Sequence, residues 1–167
     1  MRGSTRIGAI AAATAAAITV AGGAVAAPPT HEDVGSFAAS FTAGEVCEFP
    51  VTIMSVVSRE RSTTFFAPDG TIDRIQVTGR LVLQLTNDAT GKTATVNASG
   101  PGTLTFNPDG SVTLVGRGIT LYYLRAGLDT GGPDILLLHG RNVVRLTDTL
   151  TLVSAAGSSR SLCSLVA

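Results

Sequence analysis

Imidazoles, carboxylates and phenols are the side chains that most often move protons or orient ligands near neutral pH, and this chain offers few of them in informative places. His139 follows an apolar run and precedes Gly140, the position of a rim residue at a strand end; His31, the other histidine, stands near the N-terminus. No Ser and Asp stand in an order or spacing that would complete a triad with His139, so no catalytic residue is assigned. Asp148 is more informative. In VVRLTDTLTLV (143–153) the apolar residues Val144, Leu146, Leu150 and Leu152 share one parity, and Asp148 falls in it. A carboxylate on an apolar face is costly unless it is paired. It is therefore a hydrogen-bonded structural group, a residue turned outward by a bulge, or a polar group projecting into a cavity. Tyr123 and Arg125, which continue the alternation of Ile119 and Leu121, are the residues expected to accompany Asp148 in binding a ligand. A mostly apolar interior with a few placed polar groups suits a small apolar or amphipathic molecule.

Other fragments look chemical and fail on inspection. GKT (91–93) has the ending of a phosphate-binding loop, but Thr86 stands where the motif needs its upstream Gly, and the segment joins two strands without a helix N-terminus. LLLHG (136–140) has no accompanying GxSxG elbow or alternating helices and so is not a hydrolase strand. No cofactor motif is present. FFAPDGTI (65–72) and TFNPDGSV (105–112) are near copies. Pro presets its own backbone angle, Asp accepts hydrogen bonds from nearby amides, and Gly takes a left-handed conformation, so each copy predicts a hairpin turn. Asp69 and Asp109 would need several more oxygen ligands than either turn supplies to hold calcium, and no metal site is expected.

These residues must be positioned by strands. In RIQVTGRLVLQLT (74–86) every odd position is apolar or Gly and every even position but Val82 is polar. That is the period of a long strand with one buried and one wet face. The same alternation runs through Phe49, Val51, Ile53 and Val57, through Ala94, Val96 and Ala98, and on through Leu104, Phe106, Val112 and Leu114. Turn-forming clusters such as TNDATGK (86–92), SGPG (99–102) and GLDTGGPD (127–134) separate the runs, and no helical period follows residue 45. Short connections imply an antiparallel meander of about 8–9 strands. Its apolar face and free edges are hidden most simply by closing into an up-and-down β-barrel, calycin-like or like allene oxide cyclase, with a two-sheet β-sandwich as the alternative.

The ends of the chain bear on location. Residues 1–26 carry Arg2 and Arg6 ahead of an acid-free run of Ala, Ile and Val, closing on Ala24, Val25 and Ala26. This is the layout of a secretory signal cleaved before Ala27. Its removal leaves 10 basic and 12 acidic side chains, a net charge of about −2, with one Lys in the chain. Such a charge offers nothing to nucleic acid or, after cleavage, to a membrane surface. Cys47 and Cys163, the two cysteines, predict one disulfide in an exported protein. Residues 27–44, rich in Pro, Ala and Gly, are expected to be loose, with a strap laid across the domain through Phe37 and Phe41 as the alternative; residues 45–167 make one β domain.

The combination of CEFPV (47–51), TNDATGK, SGPG, PDGS and SLCSLVA (161–167) resembles a group of small exported proteins from actinomycetes. The resemblance implies a compact secreted β domain with a terminal disulfide and transfers no catalytic residue. The residues favour a binding or structural protein over an enzyme. A cyclase or isomerase whose cavity shapes a reactive substrate is one alternative, and a protein-binding or inhibitor module acting through its loops is another.

Overall fold

In the computed structural model the described residues are 26–129 and 131–167, so the signal segment expected over 1–26 lies, but for Ala26, outside them. Two strands of 16 residues, β3 (Val51–Phe66) and β4 (Ile72–Asn87), form the spine of the molecule. The first PDG sequence joins them. Asp69 Oδ1 accepts from the Thr71 amide at 2.9 Å and from Thr71 Oγ1 at 2.6 Å, while Gly70, at φ 85°, donates its amide to the Ala67 carbonyl at 2.9 Å.

Strands this long exceed the usual ~5–6 residues, and each is shared by shorter partners. Along the outer edge of β3, β2 (Ala38–Phe41) pairs with the base and β1 (Thr30–Val34) with the tip. Along β4, β5 (Thr93–Asn97) pairs with the base and β6 (Gly102–Phe106) with the tip. From β6 the tip continues through β7 (Val112–Gly116), β10 (Arg141–Leu146) and β11 (Leu150–Ala156). The second PDG sequence turns β6 into β7, with Asp109 Oδ1 accepting from the Ser111 amide at 3.0 Å. Residues 27–44, expected to be loose, thus hold β1 and β2, and Phe41 is seated against the core.

A second sheet consists of β8 (Ile119–Leu124), β9 (Asp134–His139) and β12 (Ser159–Ser161), in the order β12-β9-β8. β8 and β9 are largely apolar on both faces. Leu121, Tyr123, Ile135 and Leu137 pack against the base half of the large sheet through Val51, Ile53, Leu83 and Leu85. Tyr122, Leu124, Leu136 and Leu138 pack against its far arm through Leu114, Val144, Leu146 and Leu152. Burial on both faces is why LYYL within β8 and ILLL within β9 read as unbroken apolar runs. Each fully buried Leu or Ile there stabilises the fold by roughly 1.5–3 kcal/mol.

The fold is all-β with antiparallel sheets, and no sheet among the described residues closes into a barrel. The large sheet ends at β1 and β11, which do not pair with each other. The barrel expectation treated every strand as having one dry face. Because β8 and β9 have two, they separate into their own sheet and cover the apolar face of the large one, so closure is unnecessary. The arrangement fits the two-sheet alternative at least as well.

The C-terminus ends in α1 (Cys163–Val166), and Cys163 is disulfide-bonded to Cys47 with a Cα–Cα distance of 5.7 Å. Val46, Cys47, Leu162 and Val166 are buried, and Asn87 Nδ2 donates to the Val166 carbonyl at 3.0 Å, so the bridge fastens both flanks of the domain under its base. No helix among the described residues is long and apolar enough to cross a membrane.

Candidate functional site

The three residues expected to bind a ligand do not meet in one cavity. Asp148 is exposed in the turn between β10 and β11, not projected inward. The reason is a parity coincidence: Leu146 pairs directly with Leu150 across a three-residue loop, so a hairpin imitates one continuous strand with Asp148 in its apolar register. Arg125 follows β8 and is committed to Asp129, with Nε to Oδ2 at 2.9 Å and Nη2 to Oδ1 at 3.2 Å. It reaches Asp148 through that residue's backbone carbonyl, Nη2 to O at 3.4 Å.

Asp129, which the reading of GLDTGGPD as a turn passed over, is the organising carboxylate here. Its side chain is fully buried and also accepts from the amides of Arg125 at 2.8 Å and Leu150 at 2.6 Å. The Arg125 guanidinium and these amides hold its pKa down at about 2. An acidic residue four places after an Arg inside a glycine-rich loop was the available signal. The cluster pins the loop after β8 to the start of β11 and leaves no free group for a ligand.

Tyr123, by contrast, lines an apolar groove of about 320 Å³, between the free edge of β8 and the inner face of the large sheet. That volume is at the small end of the ~300–1,000 Å³ range of ligand sites. Its floor is Val77 and Leu81 of β4 with Leu104 of β6 and Leu114 of β7, and Ile119 and Leu121 stand with Tyr123 along β8. The groove exists because the floor is missing side chains. Gly102, opposite Val77, would direct a Cβ into open space, with no atom within 4 Å.

Two polar residues that line the groove are unusual. The Tyr123 hydroxyl is buried and has no hydrogen-bond partner. Its ring lies against Phe41, centroids 5.1 Å apart, and burial pushes its pKa up to about 12. An orphaned buried hydroxyl costs about 1–3 kcal/mol. The second is Glu60 of β3. Strict alternation would turn even residues of β3 outward, but the pairing jumps from Ser55–Leu83 to Val57–Val82 and Ser58–Leu81, leaving Val56 as a bulge. Beyond it, Ser58 and Glu60 share a face with Leu81 and Val77. Gly79, directly opposite Glu60, sits at φ 137° with the backbone of Arg59 and Glu60 too close for any Cβ. Burial raises the Glu60 pKa, with no ion pair or hydrogen bond acting the other way.

A larger crease of about 490 Å³ lies at the tip, lined by Asp33, Arg59 and Arg61 and also by Glu60 and Gly79. Those charges are solvated, and Arg61 pairs with Asp33 at 3.2 Å, so the crease is charged surface and not a dry site. Among the described residues no three His, Cys, Asp or Glu side chains are grouped to hold a metal ion. The groove can therefore take an apolar body beside one carboxylate, with one unpartnered phenol buried along its lining. Compared with known proteins, the chain matches no family, no curated sequence and no solved structure.

Proposed function

We propose that this is an exported protein that binds a small apolar or amphipathic molecule in the groove beside β8. The observation that supports the reading is the Tyr123 hydroxyl, buried without a partner along an otherwise apolar groove. Buried polar groups are nearly always paired, and a ligand carrying one acceptor would recover the cost of this one while covering the half-exposed Val77, Leu81, Leu104 and Leu121. The disulfide, formed between the two cysteines that flank the domain, accords with an oxidising compartment outside the cytoplasm. In this reading the signal segment is removed before Ala27, and β1 and β2 begin the mature domain.

The test uses pyrene, a fluorescent hydrocarbon with no head group, titrated into the mature protein. Saturable binding is expected, and Gly102→Leu, which puts a side chain into the open space, lowers affinity at least ~10-fold, or about 1.4 kcal/mol. Gly102 lies outside the left-handed region, so the substitution is compatible with the strand. If the Gly102→Leu protein is folded and binds pyrene as the wild type does, the groove is not the site.

A further inference from the structure

The polar rim of the groove also restricts what kind of amphiphile it can hold, an inference that rests on the binding reading above. We infer that the groove prefers apolar molecules whose head group donates a hydrogen bond, an aliphatic alcohol or a protonated amine, over those that carry a carboxylate, and that Glu60 makes the distinction.

Glu60 is the one charged side chain among the residues that line the groove. When ionised it has only acceptors to offer. It is half-buried, so it has lost part of its hydration without gaining a partner, and a donor brought to it replaces what burial removed. A carboxylate head at the same place would add a second anion beside a partly desolvated one, and like charges in low dielectric repel strongly.

The neighbouring cations do not reverse this. Arg59 and Arg61 adjoin Glu60 in the chain but have the opposite parity, so they stand on the outer face of β3 and are exposed. Arg61 is engaged with Asp33 of β1 at 3.2 Å, and Arg80 of β4, which is paired with Arg59, is exposed as well. Glu60 shares the tip crease with Arg59 and Arg61, but neither guanidinium is ion-paired with it, so its carboxylate remains available to the groove. The remaining polar groups along the groove are the hydroxyls of Thr120 and Tyr123. The former already accepts from Asn142 Nδ2 at 3.3 Å, while the latter is buried and without a partner. An alcohol head can give its proton to Glu60. A wholly hydrophilic cation gains nothing from Val77, Leu81, Leu104 and Leu121, so the apolar body is needed too.

The experiment displaces pyrene from the mature protein with decylamine, decanol and decanoate at neutral pH, below their aggregation limits. Decylamine and decanol are expected to displace it at concentrations at least ~10-fold below decanoate. Glu60→Gln is expected to bring the three within a few-fold of one another, and Glu60→Lys to place decanoate first. Decanoate competing as well as the amine and alcohol in the wild type, or the preference surviving in Glu60→Gln, overturns the assignment while leaving the groove as a binding site. Failure of pyrene to bind the wild type, or indifference of its binding to Gly102→Leu, overturns the groove itself. Glu60 makes no side-chain hydrogen bond or ion pair, so its variants are expected to be no less stable than wild type, which melting temperatures measured alongside check.

Discussion

The small sheet is covered by the large one on both faces, but the two contacts are completed differently. On one side the Tyr122 hydroxyl donates to Asn142 Oδ1 at 2.6 Å, and Leu124, Leu138 and Val144 are almost wholly buried around it. On the other side the Tyr123 hydroxyl has no partner, and Leu121 and Ile119 remain half-exposed along the groove. The two tyrosines are adjacent on one strand, and both faces of that strand are largely apolar in sequence. The difference lies in the covering strands. β10 and β11 present Val144, Leu146 and Leu152, whereas the corresponding stretch of β3, β4 and β6 sets Ser58, Glu60, Gly79 and Gly102 among Val77, Leu81 and Leu104. A cleft arises where a packed layer runs out of side chains, not where the inserted sheet changes character.

Core truncation gives the largest contrast. Leu138→Ala removes a side chain only 2% exposed, and a loss of about 2–5 kcal/mol is expected for such a cavity. Leu121→Ala truncates a side chain that borders an existing space, so it is expected to cost less than about half as much. Urea denaturation of both variants without ligand measures the two. Equal losses would mean that the Leu121 side is as tightly filled as the other.

Acid sensitivity separates the faces next. The Arg125, Asp129 and Leu150 cluster fastens the closed face, since Leu150 packs beside Val144, and the folded Asp129 pKa of about 2 is below the ordinary aspartate value of 3.8. A depressed carboxylate contributes its full stability above the unfolded pKa and loses it as pH falls through the interval from 3.8 toward about 2. Arg125 is 41% exposed, so solvent screening reduces the contribution to about 1–2 kcal/mol. Asp129→Asn is expected to be less stable than wild type at neutral pH, with the difference shrinking over that interval. Melting temperatures taken down the pH series would show it, and a constant difference would argue against the linkage. Glu60, raised by burial, runs the opposite way: its ionised form disfavours the folded state, so Glu60→Gln is expected to stabilise at neutral pH and to lose that advantage as pH falls through the carboxylate range.

How far these features could be read in the chain depends on how local their causes are. The two PDG turns and the disulfide were legible because three residues satisfy a turn unaided and two cysteines admit one pairing. The long alternation over 74–86 likewise appears as β4. Glu60 was hidden because its inward orientation depends on the bulge at Val56, and nothing in VTIMSVVSRE marks which residue will be left out of the ladder. Asp148 misled because a three-residue loop preserves parity across a hairpin. The second sheet was visible in principle: LLL and LYYL have no polar alternation, which is the mark of a strand buried on both faces. Reading them as one-sided strands is what turned a two-sheet arrangement into an expected barrel.

The smallest predicted effect is the most direct test of the contrast, because it has opposite signs on neighbouring residues. Removing the Tyr122 hydroxyl leaves Asn142 Oδ1, in a residue 1% exposed, without its 2.6 Å donor. Tyr122→Phe is therefore expected to destabilise by about 1–2 kcal/mol, the cost of stranding a buried acceptor. Tyr123→Phe strands nothing. It removes a desolvated hydroxyl that the folded, ligand-free protein does not satisfy, so it is expected to be neutral or to stabilise by up to ~1 kcal/mol. With ligand the sign changes. If an acceptor on the bound molecule takes the Tyr123 proton, the stabilisation conferred by a saturating alcohol is smaller in Tyr123→Phe than in wild type, while Tyr122→Phe keeps the full ligand increment. Denaturation of the two single variants with and without decanol measures all four quantities. A ligand-free loss in Tyr123→Phe as large as that in Tyr122→Phe would show that the hydroxyl already has a partner in solution, and the asymmetry between the two faces would then lie in their shape alone.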